Sequence, residues 1–235
     1  MVIPEKIQAY YRGMSGAHHR YRSWEHCYRY FRRSTPEAIA IDRDHAALQL
    51  GFYLASWGMY RGSSFLLQHA YTVHLGVIDK LVAPRFSVLW EQEFGAGDSD
   101  LNLVPIILEA IADIRDAYRP YTPSAKSRQA SDTLVTKIIL GTLGCLPACD
   151  RFFIDGFMSA GFSYSYLNAK LVERVLHFCR DNLHELREEQ GRIARLGGIR
   201  YPLMKLVDMY FWQIGFELER VQGENRRANP DSPAS

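Results

Sequence analysis

Cysteine is scarce in this 235-residue chain. Cys27, Cys145, Cys149 and Cys179 are irregularly spaced and form no CxxC pair. That spacing excludes a disulfide scaffold and paired-thiolate zinc motifs, and the four read as reduced thiols. No HExxH occurs, no glycine-rich phosphate loop, and no GxSxG elbow. These absences predict neither metal nor cofactor. Neither charge sign dominates: 28 Lys and Arg stand against 26 Asp and Glu, a formal net of +2. Strong global steering toward a polyanion is therefore not expected. The most apolar stretch, Leu50 to Tyr60 and then Phe65 to Leu67, is interrupted by Arg61. It falls short of the roughly 18 to 20 residues that a membrane span needs, so no membrane partner is expected. The opening MVIPEKIQAYYRGM carries Glu5 and Lys6 and lacks the apolar centre of a secretion signal. The expectation is a soluble cytoplasmic protein.

What is present is helical pattern, with no run of convincing period two and no internal repeat. Tyr21, Trp24, Tyr28 and Phe31 recur at helical spacing across 18–33. Residues 43–60, 71–82, 101–118, 131–144, 165–190 and 202–222 read as further helices, with Pro105 and Pro202 suited to first turns. EFGAGDSD at 93–100 and RPYTPSAKS at 119–127 read as loops. The polar stretch from Gly223, with two prolines, reads as a disordered tail. The expectation is an all-α chain of eight to ten helices: one compact multi-helix domain over 1–222, arranged as one body or as two packed lobes divided near 93–100.

The stretch richest in chemistry is SDTLVTKIILGTLGCLPACDRFF, residues 131–153. Lys137 lies in an apolar helix among Leu134, Val135, Ile138 and Ile139, and Asp150 follows thirteen positions later, just past Pro147. A desolvated lysine loses its proton more readily and becomes a usable nucleophile, and a nearby carboxylate can steady a developing cation. A lysine snorkelling from a core helix, beside an unrelated loop aspartate, accounts for the same residues. The order lysine, apolar helix, Leu-Gly, proline, aspartate resembles the active-site segment of helix-hairpin-helix DNA glycosylases of the 8-oxoguanine glycosylase kind, over about 20 residues. The resemblance implies base excision from DNA. Lys137 would attack C1′ and form a Schiff base, and Asp150 would stabilise oxocarbenium charge on a base extruded from the stack. Residues 132–136 lack the glycines of that family's hairpin, and Cys149 and Phe152 stand where it often has valine and histidine.

Two further segments bear on nucleic acid. Arg20, Arg22, Arg29, Arg32 and Arg33 are interleaved with aromatic rings, Glu25 being the only acid among them. Arginines contact phosphates and exposed rings stack on bases. An amphipathic helix with its rings in the core and its arginines in water gives the same pattern. In WGMYRGSS, 57–64, Arg61 and Ser63 are candidate anion contacts, and Trp57 and Tyr60 are candidate walls of a base pocket. A helix-to-helix turn capped by Ser63 or Ser64 is the alternative. Lys205 and Asp208, three apart on an apolar helix, are placed to pair. Beside the glycosylase stand a non-catalytic helical nucleic-acid-binding module and an oligomeric scaffold.

Overall fold

The computed structural model describes residues 2–14, 16, 18–91, 93–122, 129–197 and 199–228. Among them are twelve α-helices, several short 3-10 turns and no strand. The all-α expectation holds. Two helices build the interior. The first, α8 (Asp132–Thr142), is capped by the Ser131 hydroxyl accepting the Leu134 N–H, and every residue from Leu134 to Thr142 is buried. It packs against α2 (Arg22–Arg33), α4 (Arg43–Ser56) and α7 (Val104–Tyr118). The second, α12 (Leu203–Ala228), packs against α9 (Arg151–Ser159), α1 (Ile3–Gly13), α10 (Ala169–Asp181) and α11 (Leu183–Gly197). Short helices α3 (Pro36–Ile41), α5 (Leu75–Leu81) and α6 (Ser87–Glu91) complete the set.

The aromatic spacing in 18–33 is resolved as core packing. Trp24, Tyr28 and Phe31 are buried, and the Trp24 indole N–H donates to the Leu140 carbonyl of α8 at 3.2 Å. The helix α9 lies against α12 backbone to backbone. A Cβ on Gly156 would overlap the Phe211 carbonyl oxygen, and one on Gly215 would overlap that of Phe152. Glycine is needed here for approach, not for an unusual φ.

Several expected boundaries move. Residues 165–190 hold parts of two helices, broken at Asn182, whose side-chain amide donates to the Phe178 carbonyl at 2.8 Å and competes with the backbone. Helix α4 stops at Ser56, ahead of Gly58, which sits at φ 75°. Residues 71–74 are 3-10, and α5 follows. The loop at 93–100 is partly folded inward. Phe94 and Gly95 are buried, and Asp100 Oδ2 gathers the N–H groups of Gly95, Ala96 and Gly97 at 2.7 to 3.2 Å. Helix α12 runs on to Ala228, past Gly223. The rest of the expected tail, 229–235, and residues 123–127 of the loop at 119–127 lie outside the described residues. No helix of the described chain is long and apolar enough to cross a membrane.

Candidate functional site

Lys137 and Asp150 meet because the chain turns back on α8. Gly144, at φ 70°, ends the helix in the left-handed region, and residues 145–150 return along it. Side chains clamp the return. Thr133 Oγ1 donates to the Cys149 carbonyl at 2.9 Å, and the Cys149 N–H donates to Thr136 Oγ1 at 2.9 Å. The Ala148 N–H donates to Asp208 Oδ1 at 3.0 Å. Asp150 then opens α9 as its cap, its Oδ1 accepting the Phe153 N–H at 3.2 Å. Its other oxygen, Oδ2, is 3.4 Å from Lys137 Nζ. Asp150 thus has a structural duty beside any chemical one, and the two use different oxygens.

Lys137 is buried, with 4% of its surface exposed. Its ammonium lies 3.4 Å from the Trp57 carbonyl oxygen and 5.1 Å from the Trp57 ring centroid. Desolvation pushes its pKa below the ordinary lysine range, outweighing the opposing pull of the Asp150 and Asp208 carboxylates. A second buried pair stands beside it. Lys205 Nζ is 2.7 Å from Asp208 Oδ2 and 3.2 Å from the Tyr10 hydroxyl, with the rings of Tyr10, Trp24 and Trp57 at 4.9 to 5.1 Å. Trp57 therefore serves both ammonium groups. Burial raises the Asp208 carboxyl above its ordinary range, with Lys205 opposing and Asp150 adding to the rise.

Lys137 and Asp150 open onto a cavity of about 620 Å3. Trp57, Met59 and Phe152 supply apolar lining, and Arg61, Ser63 and Thr133 supply polar lining. The indole N–H of Trp57 is buried and has no hydrogen-bond partner among the described residues. Ser64 is the residue used as a cap, accepting the Leu66 N–H at 3.3 Å, while Ser63 is exposed.

The remaining sequence candidates separate. Tyr60 is not part of this wall. Its hydroxyl lies 2.7 Å from His74 Nε2, and His74 Nδ1 is 2.5 Å from the Tyr118 hydroxyl. A buried imidazole with two ring nitrogens to satisfy takes that hydroxyl from the cavity. Arg20 lies over the Tyr21 ring, and Arg22 pairs with Glu25 at 3.0 Å. Arg29 and Arg33 line a different cavity, at the far end of α2. The arginines of α2 therefore form no single stripe with Arg61. Missing from the sequence-derived site were Phe152, which the aromatic run after Asp150 could have suggested, and Tyr10, which no local signal marks. All four cysteines are buried and free. No group of three or more His, Cys, Asp or Glu side chains poised to hold a metal occurs among the described residues.

Comparison with protein-family models, with curated proteins and with solved structures finds no match to this chain.

Proposed function

We propose that the chain is a lesion-directed DNA glycosylase of the Schiff-base type, with Lys137 as nucleophile and Asp150 as its carboxylate partner. One observation carries the reading: a desolvated lysine and a carboxylate oxygen 3.4 Å apart, both lining a cavity of about 620 Å3. That volume falls within the roughly 300 to 1,000 Å3 of small-ligand pockets, and accommodates a flipped base with its sugar. The lowered basicity of Lys137 favours the neutral amine that attack requires. Its lone pair attacks C1′ as the bond from C1′ to the base nitrogen breaks, and one amine proton passes to the departing base. Opening of the C1′–O4′ bond, with solvent protonating O4′, leaves a protonated imine. Asp150 Oδ2 faces the positive charge that develops along this path.

The surroundings agree. Trp57 and Phe152 offer rings against which a base can pack, and the unpartnered Trp57 N–H offers a donor to a base acceptor. Arg61 and Ser63 offer donors to a phosphate. The test is borohydride trapping on duplexes carrying an oxidised guanine, a uracil or an abasic site. A covalent adduct is expected on at least one duplex, absent in Lys137→Ala and reduced roughly a hundredfold or more in Asp150→Asn. No adduct on any duplex, together with no base release, overturns the reading and leaves a binding or scaffold role.

A further inference from the structure

We propose a second ligand site: the cavity where the end of α2, the end of α8 and the start of α12 meet binds a nucleotide through its phosphate. This cavity has a volume of about 410 Å3. Leu143 on its edge, the C-cap of α8, lies six residues past Lys137, about 9 Å further along the helix at 1.5 Å per residue. It shares no lining residue with the Lys137 cavity.

Its charge is one-sided. Arg29, Arg32, Arg33 and Arg200 line it against Glu91 and Glu93, a local balance of +2 in a chain whose total is also +2. Glu93 is already committed to Arg187 at 2.5 Å and Arg200 at 3.3 Å. Arg32 gives one N–H to the Trp90 carbonyl. Arg29 and Arg33 make no ion pair or hydrogen bond among the described residues. They stand four apart on one helix, with Arg32 three from Arg29, so their charges repel. Arginines in a last helical turn are ordinary complements to the helix dipole. Arg32 and Arg33 fill that role here, and Arg29 one turn earlier with Arg200 from another element exceed it.

The floor is shaped as well. Ile199 is half-buried and Tyr28 keeps a small exposed part, with Phe94, Leu143 and Tyr201 fully packed around them. Gly144 holds this floor together: at φ 70°, a Cβ there would press within 2.8 to 3.2 Å of the Tyr28 ring and the Pro202 ring. A surplus of two positive charges matches a dianionic phosphate monoester, and guanidinium forks are suited to binding its oxygens in pairs. The exposed parts of Ile199 and Tyr28 offer apolar surface to a ring attached to that phosphate. The chemistry is that of a nucleoside 5′-monophosphate, met either as the free nucleotide or as the 5′ end of a strand.

The test uses the full chain at low ionic strength and titrates deoxyadenosine 5′-monophosphate, deoxyadenosine, and one short oligonucleotide with and without its 5′-phosphate. The monophosphate is expected to bind, and deoxyadenosine at least about tenfold more weakly, since the phosphate contacts are lost. Arg29→Gln with Arg33→Gln is expected to weaken the monophosphate by about tenfold or more, and Lys137→Ala to leave it unchanged. Those two arginines have no partners to lose among the described residues, and circular dichroism checks that both variants keep their helices. Preference for the phosphorylated oligonucleotide over its hydroxyl form identifies a strand end as the source; binding of the free nucleotide without that preference identifies the nucleotide. Two results overturn the proposal: no phosphate-dependent binding of either probe, or binding lost in Lys137→Ala and kept in the arginine variant. Failure of the glycosylase chemistry leaves this site untouched, because neither Lys137 nor Asp150 belongs to it.

Discussion

At the scale of single residues, the molecule concentrates its electrostatic cost in one place. Two buried lysine–aspartate pairs share a Trp57 wall, and burying an ion costs several kcal/mol before its partner repays part of it. Removing one member of such a pair leaves the other uncompensated. Asp208→Ala should therefore destabilise the fold by about 3 to 5 kcal/mol, read from urea denaturation. An unchanged midpoint would mean that Lys205 finds another partner. His74 gives a pH signature. Desolvation holds its pKa down to about 3 from an ordinary 6.5. A depressed folded-state value means its contribution is complete above the unfolded pKa and is lost as the pH falls through the folded one. Relative to His74→Gln, the parent should lose on the order of 4 kcal/mol between about pH 6.5 and pH 3, measured by denaturation across that range. The sequence made Lys137 and Asp150 legible because a short return of the chain joins them. It left Tyr60 ambiguous, since nothing local announces that His74, fourteen positions on, takes its hydroxyl. The closeness of Lys205 and Tyr10 to Lys137 was equally invisible, because it depends on three helices distant in the chain coming together.

At the scale of elements, the site depends on how α9 is seated. Asp150 caps α9, and α9 lies on α12 through the mutual approach of Gly156 and Gly215. A methyl group at either position has backbone in its way and no flexible side chain to displace. Gly156→Ala is expected to cost about 2 kcal/mol or more and to lower any Lys137 chemistry, since α9 must shift with its cap. Thermal unfolding beside a control substitution at exposed Met158 checks this, and equal midpoints would contradict the close approach. Helix α2 was readable because burial on one face and helical spacing state the same thing twice, and α8 because its apolar run is buried on every side. The break at Asn182 was not, because the apolar pattern of Leu176, Cys179, Leu186 and Ile193 carries across a junction that only Asp181 and Asn182 interrupt. The helices α1 and α9 escaped the reading too, although Ile3, Ile7 and Tyr10 are spaced for one face.

At the scale of the whole molecule, net charge says little and its placement says more. The arginines of the two basic segments fall into three neighbourhoods: Arg20 and Arg22 by the start of α2, Arg29 and Arg33 toward its end, Arg61 beside the Lys137 cavity. DNA binding should therefore weaken with salt by a modest slope, about one phosphate per engaged arginine, and should become shallower by about one unit in Arg61→Gln. Salt-insensitive binding would remove phosphate contact from the account. The most direct test of the central claim is where the covalent bond forms. Borohydride-trapped protein should be digested and its adduct located by mass spectrometry. Modification is expected at Lys137 and at no other amine. Modification at Lys205 or elsewhere, or trapping that persists at full yield in Lys137→Ala, would contradict it.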